Sequence, residues 1–271
     1  MDVKTFLELF FKELEISPDL REYYRVLNNK GRMLWRKAYF EQRLEYVARH
    51  LGEAPENIWD AGCGYATTSI FLALNGYVVM GNTLEFYYDQ IGRRLDYWSR
   101  HGNLDNLKIE YANLFDMPVR TGHYHAIIAQ DTLHHLEPVH QAIDIFSISL
   151  QEGGRLVVTE ENANHPFIAL KNFSKRGFNR VTDYYDQRLG KHILFGNENA
   201  RNLNAWKKII HDSGLTLPDQ EIEYIRFLPP GSFNHENYTR KIAWEQRMAK
   251  HAKMLRDYLF FGINFTAVKQ S

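Results

Sequence analysis

The sequence predicts an α/β protein in which a mainly parallel sheet is covered by helices on both faces. From about residue 57 onward, short apolar runs of strand length alternate with segments of helical periodicity, a pattern typical of βαβ units. The chain has 271 residues, of which 44% are apolar. It can therefore bury a sizeable core, as one large domain or two small ones.

Three helices are predicted before the first strand. Apolar residues recur at helical spacing between Val3 and Leu14. Ser17 and Pro18 form a good N-cap and first turn for a second helix, and a third helix ends at Gly52. We therefore expect a helical cap over residues 1–52, followed by the main domain over residues 53–271.

The alternation after residue 57 sets the order of the remaining elements. Strands are predicted at 57–60, 77–81, 107–111, 126–130, 155–160, 221–227 and 263–269, and helices at 67–75, 86–101, 138–150, 202–213 and 237–256. The helices between successive strands are interpreted as right-handed crossovers of a parallel sheet.

One stretch, residues 162–200, lacks regular periodicity. A structureless loop of that length is unusual inside a compact domain. We expect it to contain some local helix and to act as a lid. Residues 162–200 and 229–258 are therefore interpreted as cap insertions in the main domain.

Composition and charge exclude several classes of protein. The 33 basic residues balance 33 acidic ones, which argues against a main task of binding nucleic acid. The single cysteine, Cys63, excludes an internal disulfide and a multi-cysteine metal site, and the histidine spacing predicts no metal site. No apolar run approaches the ~20 residues that span a bilayer, and charges interrupt the apolar N-terminus. We expect a cytoplasmic protein without membrane insertion.

The most informative motif is Asp60-Ala61-Gly62-Cys63-Gly64, where the first strand turns into the following helix. Glycine lets a backbone bend sharply and approach a ligand closely, and the free amides of a helix start point at that ligand. Ligands of open α/β sheets bind outside the carboxyl ends of the strands. The motif therefore predicts a ligand site, the alternative being a tight turn without a ligand.

The motif departs from the dinucleotide fingerprint, because Thr67 stands where a third glycine is required. The acid before the first glycine, and the small Ala66 after the second, instead resemble motif I of the class I S-adenosylmethionine (SAM)-dependent methyltransferases. The resemblance implies a Rossmann-like, seven-stranded sheet that is mostly parallel with its last strand antiparallel, and SAM as the cofactor. It implies cofactor contacts from Asp60, Ala61, Gly62, Cys63 and Gly64.

Further segments resemble the family in the same order over roughly residues 55–160. The end of the second strand, Gly81-Asn82-Thr83-Leu84, faintly resembles the cyclopropane-fatty-acid-synthase-like branch. Thr83 and Asn113 stand where the family usually has acids, and so does His125 in the fourth strand. The resemblance implies additional cofactor contacts from Thr83, Leu84, Glu85, Asn113, Leu114 and Gln130.

The catalytic candidates follow the fourth and fifth strands. His134 and His135 come after the fourth strand, and Glu160 ends the fifth, so a histidine oriented by Glu160 is a possible general base. Methyl transfer from a sulfonium is an in-line displacement in which the protein mainly positions the reactants, and a base helps only where the acceptor must lose a proton. The alternative is that both histidines cap a turn or pack on the cofactor.

The predicted activity is transfer of a methyl group from SAM to an oxygen, nitrogen or carbon atom of a small organic acceptor. Tyr23, Tyr24, Trp35 and Tyr39 either line the acceptor pocket or pack in the core. One alternative is a SAM-binding regulatory protein without turnover. Another is a NAD-dependent oxidoreductase, against which Thr67 and Asp60 count. The sequence leaves the acceptor, the attacked atom and the oligomeric state open.

Overall fold

Strands and helices alternate along the chain, as the periodicity predicts. The structure is a computed structural model that describes residues 1–25, 30–234, 236–252 and 255–270, without the side chains of residues 30–32, 85 and 86. The strands are β1 (Asn57–Ala61), β2 (Val78–Thr83), β3 (Leu107–Tyr111), β4 (Tyr124–Gln130), β5 (Leu150–Glu161), β6 (Val181–Asp186), β7 (Lys191–Gly196), β8 (Leu215–Thr216), β9 (Ile222–Ile225) and β10 (Gly262–Lys269). The helices are α1 (Val3–Ile16), α2 (Pro18–Tyr24), α3 (Lys30–Arg49), α4 (Thr67–Leu74), α5 (Glu85–Trp98), α6 (Val139–Ser149), α7 (Pro166–Arg176), α8 (Leu203–Asp212), α9 (Tyr238–His251) and α10 (Arg256–Leu259).

The central sheet has the strand order β3-β2-β1-β4-β5-β10-β8, with β9 also paired to β10. The strands β1 to β5 run parallel, and β10 is antiparallel to β5. The predicted parallel sheet with an antiparallel last strand is therefore confirmed. It has eight strands rather than seven because β8, which has two residues, is too short to show any periodicity.

The two faces of the sheet carry separate apolar cores. Trp59 and Ile127 belong to the core that includes α6 and α8, whereas Ile58 and Ile128 belong to the core that includes α1, α3, α4 and α5. This division follows from the alternation of side chains along a strand. Among the described residues, no helix combines the length and the apolar composition of a membrane span.

The five parallel strands end at one edge of the sheet, which we call the carboxyl edge. Their last residues are Ala61, Thr83, Tyr111, Gln130 and Glu161. Because β10 is antiparallel to β5 and β9 is antiparallel to β10, the end of β9 lies at this edge too. Ligands of open parallel sheets bind at such an edge.

The stretch at residues 162–200 is more regular than the sequence indicates. It contains α7, in agreement with the local helix that we expected there, and also a hairpin of β6 and β7. Most side chains of β6 are exposed, so its sequence lacks the apolar alternation of a strand packed on a core. We call residues 181–196 the strap.

The strap crosses the carboxyl edge and is fixed at both ends. At one end the Gly196 amide donates to the carbonyl of His135, after β4, at 2.8 Å. At the other end the Tyr111 hydroxyl, at the end of β3, donates to the buried carboxylate of Asp186 at 2.6 Å. The strap thereby covers the edge from β4 to β3.

A buried ion pair joins α1 to α5. The Glu13 carboxylate of α1 accepts hydrogen bonds from Arg94 Nη2 at 2.6 Å and from Trp98 Nε1 at 2.9 Å. Arg94 also donates to the Thr67 hydroxyl at 2.7 Å and to the Tyr65 carbonyl. The pair therefore connects α1 and α5 to the turn that precedes α4.

Replacing Glu13 by Leu should strongly destabilise the protein, because it leaves the buried Arg94 guanidinium without its counter-charge. We expect a loss of about 3–5 kcal/mol in the free energy of unfolding, measured by urea denaturation. Glu8→Leu, at an exposed position of the same helix, should change it by less than about 0.5 kcal/mol. Equal effects of the two substitutions would contradict this assignment.

Candidate active site

The turn between β1 and α4 is built from three residues with positive φ: Gly62 (67°), Gly64 (54°) and Ala66 (60°). Glycine adopts this conformation readily, whereas an L side chain is strained there. Space is limiting as well, because a Cβ added to Gly62 would lie 2.4 Å from Cγ2 of Thr132. Position 62 therefore requires glycine for both its backbone and its packing.

The turn presents backbone donors that the protein itself does not use. The Cys63 amide donates to the Asn82 carbonyl at 2.9 Å, and the Ala66 amide to the Cys63 carbonyl at 2.8 Å. In the described part of the chain, the amides of Gly64 and Tyr65 donate to no residue. They lie immediately before α4, where the helix dipole favours negative charge. This geometry suits a carboxylate ligand.

Asp60 lies at the end of β1, directly before the turn. Its Oδ2 accepts a hydrogen bond from the Ser69 hydroxyl of α4 at 2.5 Å. Burial raises the pKa of Asp60 to about 6, against the opposing effect of the Ser69 hydrogen bond. Asp60 therefore ties the strand to the helix on either side of the turn and is mainly ionised at neutral pH.

Asn82 joins the ends of the first three strands, and the sequence analysis did not single it out. Its Oδ1 accepts from Trp59 Nε1 at 2.8 Å, and its Nδ2 donates to the Ala112 carbonyl, after β3, at 3.2 Å. With its own carbonyl bound to the Cys63 amide, Asn82 fixes the turn relative to β2 and β3. Its position between Gly81 and Thr83 was the only available signal.

The remaining predicted cofactor residues also lie along the carboxyl edge. Thr83 is the last residue of β2, and Leu84 is the N-cap of α5. The side chain of Glu85 lies outside the described part of the structure. The Asn113 Oδ1 accepts from the amide of Phe115 at 3.4 Å. It thereby caps the short 3-10 helix that begins at Leu114, a local role that the sequence did not show.

On the other side of the turn, Gln130 ends β4. Its Oε1 accepts a hydrogen bond from the hydroxyl of Thr68, in the first turn of α4. His125, earlier in β4, accepts from the Asn57 amide at 3.1 Å. Gln130 therefore lies beside the glycine turn, whereas His125 contributes to the pairing of strands.

Tyrosines of α2 lie over the glycine turn. The Tyr23 ring is 4.8 Å from that of Tyr65 and 5.2 Å from that of Tyr87. The Tyr24 hydroxyl is 2.6 Å from the hydroxyl of Thr67 at the start of α4. The N-terminal helices therefore form one wall of this site.

His134 and Glu160 form a buried pair at the end of β5. His134 Nδ1 is 2.6 Å from one carboxylate oxygen of Glu160, and the other oxygen accepts from the Leu133 amide at 2.7 Å. Burial opposes charge on the imidazole, but the Glu160 carboxylate outweighs it and raises the pKa of His134 to about 9. At neutral pH His134 is therefore a cation, with no lone pair available to take a proton.

His135 has the opposite electrostatics. Burial and the charge of His134 lower its pKa to about 4, so its ring is neutral at pH 7. Its Nδ1 lies 2.9 Å from the Gly196 carbonyl, a distance that requires Nδ1 to carry the proton as donor. Nε2 is then the unprotonated nitrogen, and the ring stacks on Phe195 of the strap at 4.4 Å.

A partly buried ion pair connects α3 to the site. Arg43 forms a salt bridge with Asp131, which follows β4, and its Nε donates to the Thr159 hydroxyl of β5 at 2.9 Å. Burial alone would raise the pKa of Asp131, but Arg43 lowers it overall. Nothing in the sequence pattern connected Arg43 with Asp131, because the contact depends on how α3 packs on the edge.

Arg226, directly after β9, places its guanidinium against aromatic rings. Its Cζ lies 4.1 Å from the ring centroid of Tyr39 and 4.5 Å from that of Trp35. Its Nε is buried and unbonded, and within the described residues the guanidinium forms no hydrogen bond or ion pair. The nearby Glu245 carboxylate instead accepts from the amides of Phe227 and Leu228, at 2.9 and 2.6 Å.

This combination of a doubly covered parallel sheet and a glycine turn at its carboxyl edge defines a class I SAM-dependent methyltransferase fold. The family model described as a methyltransferase domain matches residues 34–218. The chain belongs to this family and is a methyltransferase, with SAM as its cofactor. The sequence matches no curated protein.

Solved structures share the fold at low sequence identity. A SAM-dependent methyltransferase from Mesorhizobium loti is 16% identical, with a TM-score of 0.50 over 83% of this chain and 96% of that one. Phosphoethanolamine N-methyltransferase 2 of Haemonchus contortus, in complex with SAM, is 13% identical, with a TM-score of 0.55 over 93% of this chain and 60% of that one. The cyclase SpnF is 16% identical, with a TM-score of 0.57 over 89% and 84% of the two chains. At these identities the likeness shows the fold alone.

The residues at the turn fit SAM. The two unused amides of Gly64 and Tyr65 match the carboxylate of its amino-acid part. At Gly62 the packing on Thr132 leaves no room for a side chain, which keeps the backbone of the turn in place.

Replacing Gly62 by Ala should cost more stability than replacing Gly64 by Ala. Both substitutions place a Cβ at positive φ, which costs about 1–2 kcal/mol. Only the first collides with Thr132, which adds about 1–3 kcal/mol of overpacking. Thermal unfolding measures both. The double variant Gly62→Ala/Thr132→Ser, which lacks the colliding methyl group, should recover part of the loss, and its failure to do so would contradict the packing argument.

The His134–Glu160 pair should make stability depend on alkaline pH. A histidine whose pKa is raised from 6.5 to about 9 on folding stabilises the protein fully below pH 6.5, and this contribution is lost as the pH rises through about 9. The difference in unfolding free energy between wild type and His134→Gln should shrink by about 3 kcal/mol over that range, measured by urea denaturation.

His135→Gln is the matched control, because the pKa of His135 is lowered on folding and its effect falls at acidic pH. The difference in unfolding free energy between wild type and His135→Gln should stay constant between pH 7 and about pH 9. A flat profile for His134→Gln as well would contradict the charged state of His134.

Proposed function

We propose that the protein transfers the methyl group of SAM to an oxygen, nitrogen or carbon atom of a small organic acceptor. The small size of the acceptor is inferred from the strap, which crosses the carboxyl edge and is hydrogen-bonded at both ends. With α2 on one side and the strap on the other, a compact molecule fits this site better than a macromolecular surface does. Residues 1–52 act as a cap in this proposal.

Bound SAM supplies a methyl group already activated by its sulfonium, so the protein has to bind, orient and exclude water. The amides of Gly64 and Tyr65 hold the carboxylate of the amino-acid part, beside Asp60 and Gln130. In this proposal Thr83 and Leu84 contact the ribose, and Asn113 and Leu114 contact the adenine. Cys63 supports this site through its backbone, since burial raises the pKa of its thiol and keeps it neutral.

Where the acceptor must lose a proton, we propose that His135 receives it at Nε2. The Gly196 carbonyl fixes its tautomer, and its neutral ring is able to accept a proton as the new bond forms. The His134–Glu160 pair positions it, because the two histidine rings lie 4.0 Å apart. This assignment divides the two histidines between a proton acceptor and a positioning residue.

We further propose that the acceptor carries an anionic group that binds Arg226. A buried polar atom without a partner costs free energy, and a guanidinium is suited to two parallel hydrogen bonds with a carboxylate. Trp35 and Tyr39 hold the guanidinium by its faces, which leaves its edge for such a contact. The acceptor is therefore an organic acid or a compound with an equivalent anionic group.

A SAM-binding protein without turnover is the second candidate. It is favoured by Asn113, an uncharged side chain at a position where the family usually has an acid, whose oxygen also caps a helix. Calorimetry with SAM and with its demethylated product, followed by an acceptor screen, separates the two candidates. Family membership favours methyl transfer over a nicotinamide-dependent oxidoreductase.

Screening small carboxylic acids, each beside its amide, for formation of demethylated SAM tests the acceptor proposal. For an acid that reacts, Arg226→Gln should raise KM by about 10- to 100-fold, since a charged hydrogen bond is worth about 1.5–3 kcal/mol. The KM for SAM should not change. Arg247→Gln, at an exposed position of α9, is the control. If Arg226→Gln and the control Arg247→Gln both turn over acids and amides equally well, the role of Arg226 in recognising the acid is contradicted.

A further inference from the structure

Exposed apolar side chains are concentrated on one part of the surface. Of the fifteen large apolar residues that are exposed in the described part of the chain, seven lie between residues 167 and 194. Monomeric proteins rarely expose contiguous apolar patches of this kind without a binding function. The concentration therefore points to a docking surface on α7 and the adjoining strap.

The surface is formed mainly by α7. Phe167, Leu170 and Phe173 recur every three residues along one side of the helix and are 70%, 65% and 49% exposed. Phe178, just beyond its end, is 90% exposed, and its ring lies 5.3 Å from that of Phe173. The opposite side is buried through Ile168 and Asn172. We call Phe167, Leu170, Phe173 and Phe178 the outer patch.

Positive charge accompanies the outer patch. Lys171 and Lys175 pair with Glu161 and Glu198, each at 2.7 Å. Within the described residues, Arg176 and Arg180 have no carboxylate within 4.0 Å, the limit for an ion pair. The surface around the aromatic side chains is therefore net positive.

We propose that the outer patch docks on a membrane surface that contains anionic lipid. A helix with aromatic and leucine side chains on one side and basic residues beside them lies in the interface between headgroups and acyl chains, where anionic headgroups attract nearby Arg and Lys. The positive charge favours this partner over an uncharged apolar surface of another protein.

The location of the surface connects docking with the site. The helix α7 begins five residues after the end of β5, and His165, its N-cap residue, stacks on Phe261 at 3.8 Å, next to β10. Phe261 also lies 5.8 Å from the Arg226 guanidinium. Docking would thus bring the Arg226 end of the carboxyl edge close to the lipid surface.

Co-sedimentation with vesicles tests the proposal. The full chain should sediment with vesicles of phosphatidylcholine and phosphatidylglycerol in equal parts, and much less with phosphatidylcholine alone. Added salt should weaken the binding. Phe178→Asp and Phe167→Asp should each lower the bound fraction, by about tenfold in partition coefficient. Val119→Asp introduces the same charge at an exposed apolar position outside the outer patch and should have no effect.

Thermal unfolding and SAM binding of each variant show whether it is folded, independently of the vesicles. Absence of binding to anionic vesicles would overturn the proposal, as would undiminished binding by both Phe variants. A dimer in sedimentation velocity that Phe178→Asp dissociates, without vesicle binding, would assign the outer patch to self-association instead and would likewise overturn it.

Discussion

The glycine turn after β1 is the constraint on which the rest of the site depends. Gly62 and Gly64 adopt positive φ, and the backbone at Gly62 packs so closely on Thr132 that no side chain fits. Asn82 and Ser69 hold the two ends of the turn through hydrogen bonds. Because the turn is fixed in this way, two unused amides face the carboxyl edge in a defined geometry before any ligand arrives, which limits the entropy that binding must cost.

One buried and one partly buried ion pair then connect the N-terminal helices to the site. The Glu13–Arg94 pair reaches the carbonyl of Tyr65, and the Arg43–Asp131 pair reaches the loop after β4. Such pairs add little net stability compared with apolar packing, but breaking one is costly. They therefore specify where the N-terminal helices lie. The buried His134–Glu160 pair acts on its neighbour as well, because burial and the charge of His134 together keep His135 neutral.

The sequence predicted the order of the strands, the parallel core and the glycine turn, because periodicity and glycine placement are local signals. The strand Leu107–Tyr111, for example, has the bounds that the sequence predicts. The sequence also indicated that Glu160 orients a histidine, since neighbouring parallel strands end at the same edge, but it left His134 and His135 as alternatives, and the structure pairs Glu160 with His134. The strap was missed because an exposed hairpin lacks apolar alternation. Asn82, Arg43, Arg94 and Arg226 were missed because their roles arise from contacts between segments far apart in the chain.

The central claim is that the turn around Cys63 binds SAM through its free amides. Backbone amide resonances followed during titration with the demethylated product of SAM test this most directly. We expect the largest shifts at Gly64 and Tyr65, with smaller ones at Thr83 and Leu114. Unchanged resonances at saturating ligand, or shifts confined to residues at the opposite edge of the sheet, would contradict it.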